Sequence, residues 1–71
     1  NQAQVQELSV SLLRPGMVFV EDVTTPAGSL LIARGHEVTP SLIERIRNLS
    51  RDRGVKEPIR VTLRKRPQGD S

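Results

Sequence analysis

The sequence contains no cysteine and almost no aromatic residues. Its 71 residues include no cysteine, tryptophan or tyrosine, and Phe19 is the single aromatic side chain. Without cysteine, neither a disulfide framework nor a thiolate site can form. A single ring also excludes the RNA-binding sheet domains that stack bases on several aromatic side chains. The core must therefore be built from aliphatic residues.

Long hydrophobic runs are also missing. The longest apolar runs, Met17–Val20 and Leu30–Ala33, have four residues each, whereas a membrane-spanning helix needs about 20. No signal peptide opens the chain. Together with the lack of cysteine, this predicts a cytoplasmic protein with no membrane partner. Because the chain begins at Asn1 without a methionine, we expect it to be an excised piece of a larger protein.

A chain of this length forms one domain with a small core, since it buries only roughly 60% of its unfolded surface. We assign residues 1–66 to a single small accessory domain. The last five residues, 67–71, read "PQGDS" and are predicted to be a disordered tail.

The first half of the sequence predicts strands separated by turns. Apolar residues alternate with serines from Leu8 to Leu12, as in a half-buried edge strand. Pro15 and Gly16 then favour a turn in which the glycine has positive φ. In Met17–Val20 both faces are apolar, which predicts a central strand with Phe19 and Val20 both buried. Residues 24–28, "TTPAG", predict a hairpin connection, again with positive φ at the glycine, and residues 29–34 should return antiparallel to the strand at Met17.

The second half predicts a helix and a last strand. Thr39 is an expected N-cap, Pro40 occupies the first helical position, and Val38 can pack on Ile43. One apolar stripe recurs at helical spacing, and Gly54 is the expected end: Leu42, Ile43, Ile46 and Leu49. The final strand alternates, with one set of side chains facing inward and the other outward: Ile59, Val61 and Leu63 against Arg60, Thr62 and Arg64.

This order predicts a β-rich α+β fold. We expect a small antiparallel sheet or partly closed barrel of about four strands, with one helix between the last two strands. Because a single helix covers only one side of such a sheet, the second apolar side should be buried by curling or by another copy. We therefore also expect a homodimer.

Adjacent carboxylates at Glu21 and Asp22 suggest an active site, but a regular strand projects neighbours to opposite faces. The pair is therefore interpreted as a strand end, with Asp22 expected to accept hydrogen bonds from the amides of the turn at 24–28. His36 lies in a loop and lacks the second histidine of a helical zinc site. The serines and glycines match neither a nucleophile elbow nor a phosphate loop. The sequence thus predicts no catalytic residue, no metal and no cofactor.

The charge is unevenly distributed along the chain. The net charge is +3, yet residues 45–66 hold nine basic and two acidic residues, which leaves −4 for the remainder. This asymmetry predicts either a solvated face with a basic tail or a surface for an acidic partner. The candidate partner-binding residues are Arg45, Arg47, Arg51, Arg60 and Arg64.

The turn and packing residues together form a motif: Leu-x-Pro-Gly-Met, an apolar strand, Asp-Val, a turn glycine, Leu-Leu, glycine and a threonine-capped helix. The pattern resembles a small domain of bacterial two-component response regulators and HD-type signalling proteins. The resemblance covers about Leu12 to Leu63, and its motif positions here are Pro15, Gly16, Met17, Asp22, Val23, Gly28, Leu30, Leu31, Gly35, Thr39 and Leu42.

The resemblance implies a non-catalytic output or regulatory module of a response regulator, acting in a phosphorelay by oligomerisation or by docking a receiver domain. The His-Asp and Gly-Tyr-Pro motifs of the hydrolases are absent, so no hydrolase activity is implied. The alternative is a nucleic-acid or cyclic-dinucleotide binding module that uses the basic C-terminal half. DNA binding is disfavoured because no helix precedes the predicted one to form a helix-turn-helix pair. Cyclic-dinucleotide binding is disfavoured because the sequence lacks the arginine-pair motif of small β-barrel sensors.

Overall fold

The computed structural model describes residues 4–63. The predicted tail at 67–71 and the candidate residue Arg64 lie outside the described residues.

The described chain is an α+β fold with antiparallel strands and one helix, as predicted in outline. It has five strands in two sheets, rather than about four in one sheet, and residues 4–63 form no closed barrel. In chain order the elements are β1 (Val5–Leu8), a 3-10 turn (Val10–Leu12), β2 (Met17–Phe19), β3 (Val23–Thr24), β4 (Leu30–Ile32), α1 (Pro40–Asp52) and β5 (Ile59–Leu63).

The main sheet has the order β1-β5-β2, so the last strand lies in its centre. Both neighbours pair antiparallel to β5. β2 is therefore not central in this sheet, although its other side is bonded to residues 35–38: the amide of Phe19 donates to the carbonyl of His36 (3.0 Å) and that of Val38 to Met17 (2.7 Å). β4 pairs with β3, not with β2, because the chain leaves the main sheet after Phe19.

The predicted strand from Leu8 to Leu12 is wrong in its second half, where the chain forms the 3-10 turn. The amide of Leu13 donates to the carbonyl of Val10 (3.2 Å), and the amide of Val10 donates to a carboxylate oxygen of Glu57 (2.8 Å). Val10 and Leu13, three residues apart, are thereby buried, while Leu12 is exposed. Spacing by three suits a 3-10 turn and cannot be met by a strand.

A single aliphatic cluster around Phe19 forms the core between the main sheet and α1. Its members are Val10, Leu13, Met17, Phe19, Val23, Ile32, Val38, Ile43, Ile46, Val55, Ile59 and Val61. The predicted inward set on β5 holds for its first two members, but Leu63 is 59% exposed because the strand extends past the core. Phe19 is buried as predicted, whereas Val20 is only half-buried.

The turn between β3 and β4 depends on Gly28. The amide of Gly28 donates to the carbonyl of Thr25 (2.8 Å), and its φ is +99°, as predicted for a turn glycine. A Cβ at this position meets no atom within 4 Å. Any penalty for a side chain there therefore arises from the backbone alone.

Replacing Gly28 by valine is expected to lower the free energy of unfolding by about 1–2 kcal/mol, because an L-residue is strained at this φ. Urea denaturation measures the change. The matched control is Ala27→Val, which adds a similar side chain at an exposed neighbour without positive φ and should leave stability within about 0.5 kcal/mol. Equal losses in the two variants would contradict a backbone origin.

Candidate functional site

Helix α1 is held at its start by the predicted cap. The hydroxyl oxygen of Thr39 accepts a hydrogen bond from the amide of Leu42 (3.1 Å), and Pro40 occupies the first turn. The helix ends at Asp52, and Gly54 follows with positive φ, as expected. The residues at which α1 begins and ends are therefore set by the local sequence.

The buried stripe of α1 determines which of its side chains face outward. Ile43 and Ile46 belong to the core, while Leu42 and Leu49 are half-buried against it. With about 100° per residue, Arg47 projects away from this stripe on one side. Packing of the apolar stripe thus directs arginines to the surface.

Arg45, Arg47 and Arg51 are exposed, as predicted for partner-binding residues. Arg47 and Arg51 are four residues apart and lie on one face, whereas Arg45 flanks the opposite edge. One guanidinium nitrogen of Arg51 donates to the side-chain oxygen of Asn48 (2.7 Å), which steadies its position.

Two further exposed cations come just after α1 in the chain, and the candidate set drawn from the sequence omitted them. Arg53 and Lys56 follow the helix directly and are exposed. The signal was available, since both lie inside the basic run, but their position beside the helix end needed the structure. We name Arg45, Arg47, Arg51, Arg53 and Lys56 the basic surface; none of them forms an ion pair with another described residue.

Arg60, another candidate residue, lies apart from this surface. It lies on the central strand, and its guanidinium contacts Glu7 (3.1 Å) on one side and Glu21 (2.9 Å) on the other. Both acids belong to segments paired with β5. Arg60 is thus paired with carboxylates of its own fold, and its role in binding a partner stays a prediction.

The carboxylates of Glu21 and Asp22 are used separately, as expected for a strand end. Glu21 pairs with Arg60, while one oxygen of Asp22 accepts from the amide of Arg34 (2.9 Å). The prediction that Asp22 bonds to the turn at 24–28 is therefore wrong. That turn is closed by its own groups, since the amide of Ser29 donates to the Thr25 hydroxyl (3.0 Å).

His36 is exposed, and its Nδ1 lies 3.1 Å from the carbonyl oxygen of Ala33. Residues 4–63 contain no group of three or more side chains that could hold a metal ion. The part of the chain that the structure describes also has no helix long and apolar enough to cross a bilayer.

An open groove of about 340 Å³ lies where residues 21–24 and 56–60 separate. The two segments are joined at its ends, by the amide of Val20 to Arg60 (3.0 Å) and that of Lys56 to Thr24 (2.8 Å). Its walls carry two carboxylates and two cations, of which Arg60 is already paired. The groove therefore has no excess of either charge.

No family model, no curated protein and no solved structure matches this chain. The likeness to response-regulator domains therefore rests on the sequence motif alone.

Proposed function

We propose that this domain is a non-catalytic interaction and regulatory module of a bacterial two-component response regulator, acting in the cytoplasm. It docks an acidic partner through the basic surface and also mediates oligomerisation. The observation that carries the docking proposal is the set of exposed cations around α1 that form no ion pair with any residue of the described range 4–63.

The contrast with Arg60 supports this assignment. Where an arginine serves this fold, carboxylates lie within 3.1 Å of it on both sides. Among the residues that the structure describes, the arginines of α1 have no such neighbours, although Glu44 and Asp52 lie on the same helix. Ion pairing among the described residues does not account for these charged side chains, whereas attraction of an acidic surface does.

The composition of the basic surface suits a partner that carries carboxylates or other planar or tetrahedral oxyanions. Four of its five members are arginines, whose planar guanidinium matches carboxylate geometry through two parallel hydrogen bonds. The Cβ atoms of residues one helical turn apart, such as Arg47 and Arg51, are about 6 Å from each other. A receiver domain, whose phosphorylation pocket is acidic, is the partner that the family resemblance implies.

Nucleic acid and cyclic dinucleotides are anions that could use the same cations, so the test must vary the partner. The protein is titrated with a receiver domain expressed separately from the same parent protein, with random-sequence duplex DNA, and with cyclic di-GMP. For the receiver domain we expect binding that weakens as salt rises, because exposed charges are screened beyond about 8–10 Å.

The double variant Arg47→Glu with Arg51→Glu should weaken binding of the receiver domain by about tenfold or more. Its matched control is Arg14→Glu with Arg34→Glu, the same charge change at two exposed loop positions outside α1. The control should retain affinity within about threefold. Unchanged affinity in the helix variant would overturn the proposal, and loss confined to duplex DNA or cyclic di-GMP would assign the surface to those ligands instead.

A further inference from the structure

Within residues 4–63, the main sheet has one closed edge and one open edge. Residues 35–38 bond along the outer side of β2, so that edge is covered. β1 forms the opposite edge. The side chains of Val5, Gln6 and Glu7 are all exposed there.

The hydrogen bonds of the central strand show which of its groups face β1. The amide of Val20 donates to the carbonyl of Arg60 (3.0 Å), so Arg60 directs its backbone groups toward β2. Backbone groups of successive strand residues point to alternate neighbours. Ile59 and Val61 therefore direct theirs toward β1.

The register then identifies the free groups of β1. Gln6 is paired with Val61 and Leu8 with Ile59, so Gln6 and Leu8 bond to β5 through their backbone. The amide and carbonyl groups of Val5 and Glu7 consequently point away from the sheet, along the open edge.

We propose that this edge pairs with β1 of a second copy, antiparallel about a two-fold axis at Gln6. Val5 then lies opposite Glu7 of the second copy, and the outward groups of the two strands form four hydrogen bonds. The two sheets become one six-stranded sheet. This inference rests on the oligomerisation part of the proposed function and names its surface.

The sequence of β1 selects this register. Residues opposite each other in the joint sheet must project their side chains to the same face, so the two-fold axis can pass only through a residue position and not between two. An axis at Glu7 would set two carboxylates directly opposite each other, which is unfavourable. With an axis at Val5, the outward groups of Glu7 would lie opposite a position that precedes β1 of the second copy, because β1 begins at Val5. With the axis at Gln6, all four outward groups are used.

A charged residue commonly protects an edge strand from pairing, and Glu7 is the only charge on β1. Its carboxylate is paired with Arg60 of the neighbouring strand at 3.1 Å, and Val5 beside it is 56% exposed. The edge is therefore weakly protected. Because a four-residue strand buries far less than the ~1,200 Å² of a stable interface, we expect dimerisation at roughly 0.1–1 mM.

Disulfide trapping tests the register, and the absence of native cysteine makes the readout specific. Across the axis, the two Gln6 Cα atoms should lie about 4.5 Å apart, within the range a disulfide spans. The two Gln4 positions should be offset by about 13 Å along the strand. Gln6→Cys should therefore form a linked dimer at least about tenfold faster than the matched, equally exposed Gln4→Cys variant.

The unmodified protein supplies a second measurement. Hydrogen exchange of the Val5 and Glu7 amides should slow as protein concentration rises, while the Gln6 amide, already bonded to β5, should not change. Equal trapping rates for the two cysteine variants, or concentration-independent exchange at Val5 and Glu7, would overturn the proposal. Neither result bears on docking, because none of these residues belongs to the basic surface.

Discussion

Replacing Phe19 by alanine is expected to unfold the domain. The ring is 1% exposed and is the largest fully buried side chain, and truncation of a buried phenylalanine costs about 3–5 kcal/mol through lost contacts and a cavity. A domain this small has only a few kcal/mol of stability in total. Circular dichroism and amide NMR spectra should show loss of structure at 25 °C.

Leu30→Ala is the control for Phe19→Ala, because it removes an apolar side chain that is 59% exposed on a strand. It should leave the free energy of unfolding within about 0.5 kcal/mol. A well-dispersed NMR spectrum from the Phe19→Ala variant would contradict the described core.

Replacing Ile46 by alanine should cost about 2–5 kcal/mol. Ile46 is completely buried, and alanine is the better helix former, so the loss measures packing of α1 on the sheet. If the variant remains folded, urea denaturation gives the loss in free energy of unfolding directly. If its spectrum is that of an unfolded chain, the loss is at least as large as the stability of the unmodified domain.

The neighbouring Arg45→Ala variant is the matched control for Ile46→Ala. It makes a smaller gain in helix propensity, at an exposed position, and should be neutral or slightly stabilising. If both variants were equally stable, α1 would not be packed as described.

The helix was predictable because its signals are local. The cap at Thr39, the apolar stripe and the glycine at its end all lie within sixteen residues, and the structure contains each of them. The outward position of Arg47 and Arg51 follows from the same periodicity. That part of the candidate site could therefore be derived from sequence.

Contacts between distant residues could not be predicted from the sequence. Arg60 meets carboxylates 53 and 39 residues away, and alternation along β5 shows only that it points outward. The 3-10 turn at Val10 depends in the same way on Glu57, 47 residues further along. Asp22 bonds to Arg34 because β3 and β4 pair with each other, a choice that apolar runs alone do not determine.

The central position of β5 has a consequence for synthesis of the protein. β1 and β2 are not neighbours in the sheet and are joined only through a strand that ends at Leu63. During translation β1 stays unpaired, and β2 can pair only with residues 35–38, until nearly all of the domain has left the ribosome. High contact order of this kind slows folding and delays formation of the sheet. The domain should therefore fold in one late step, and a nascent chain stalled before Ile59 exposes strands that a chaperone can hold.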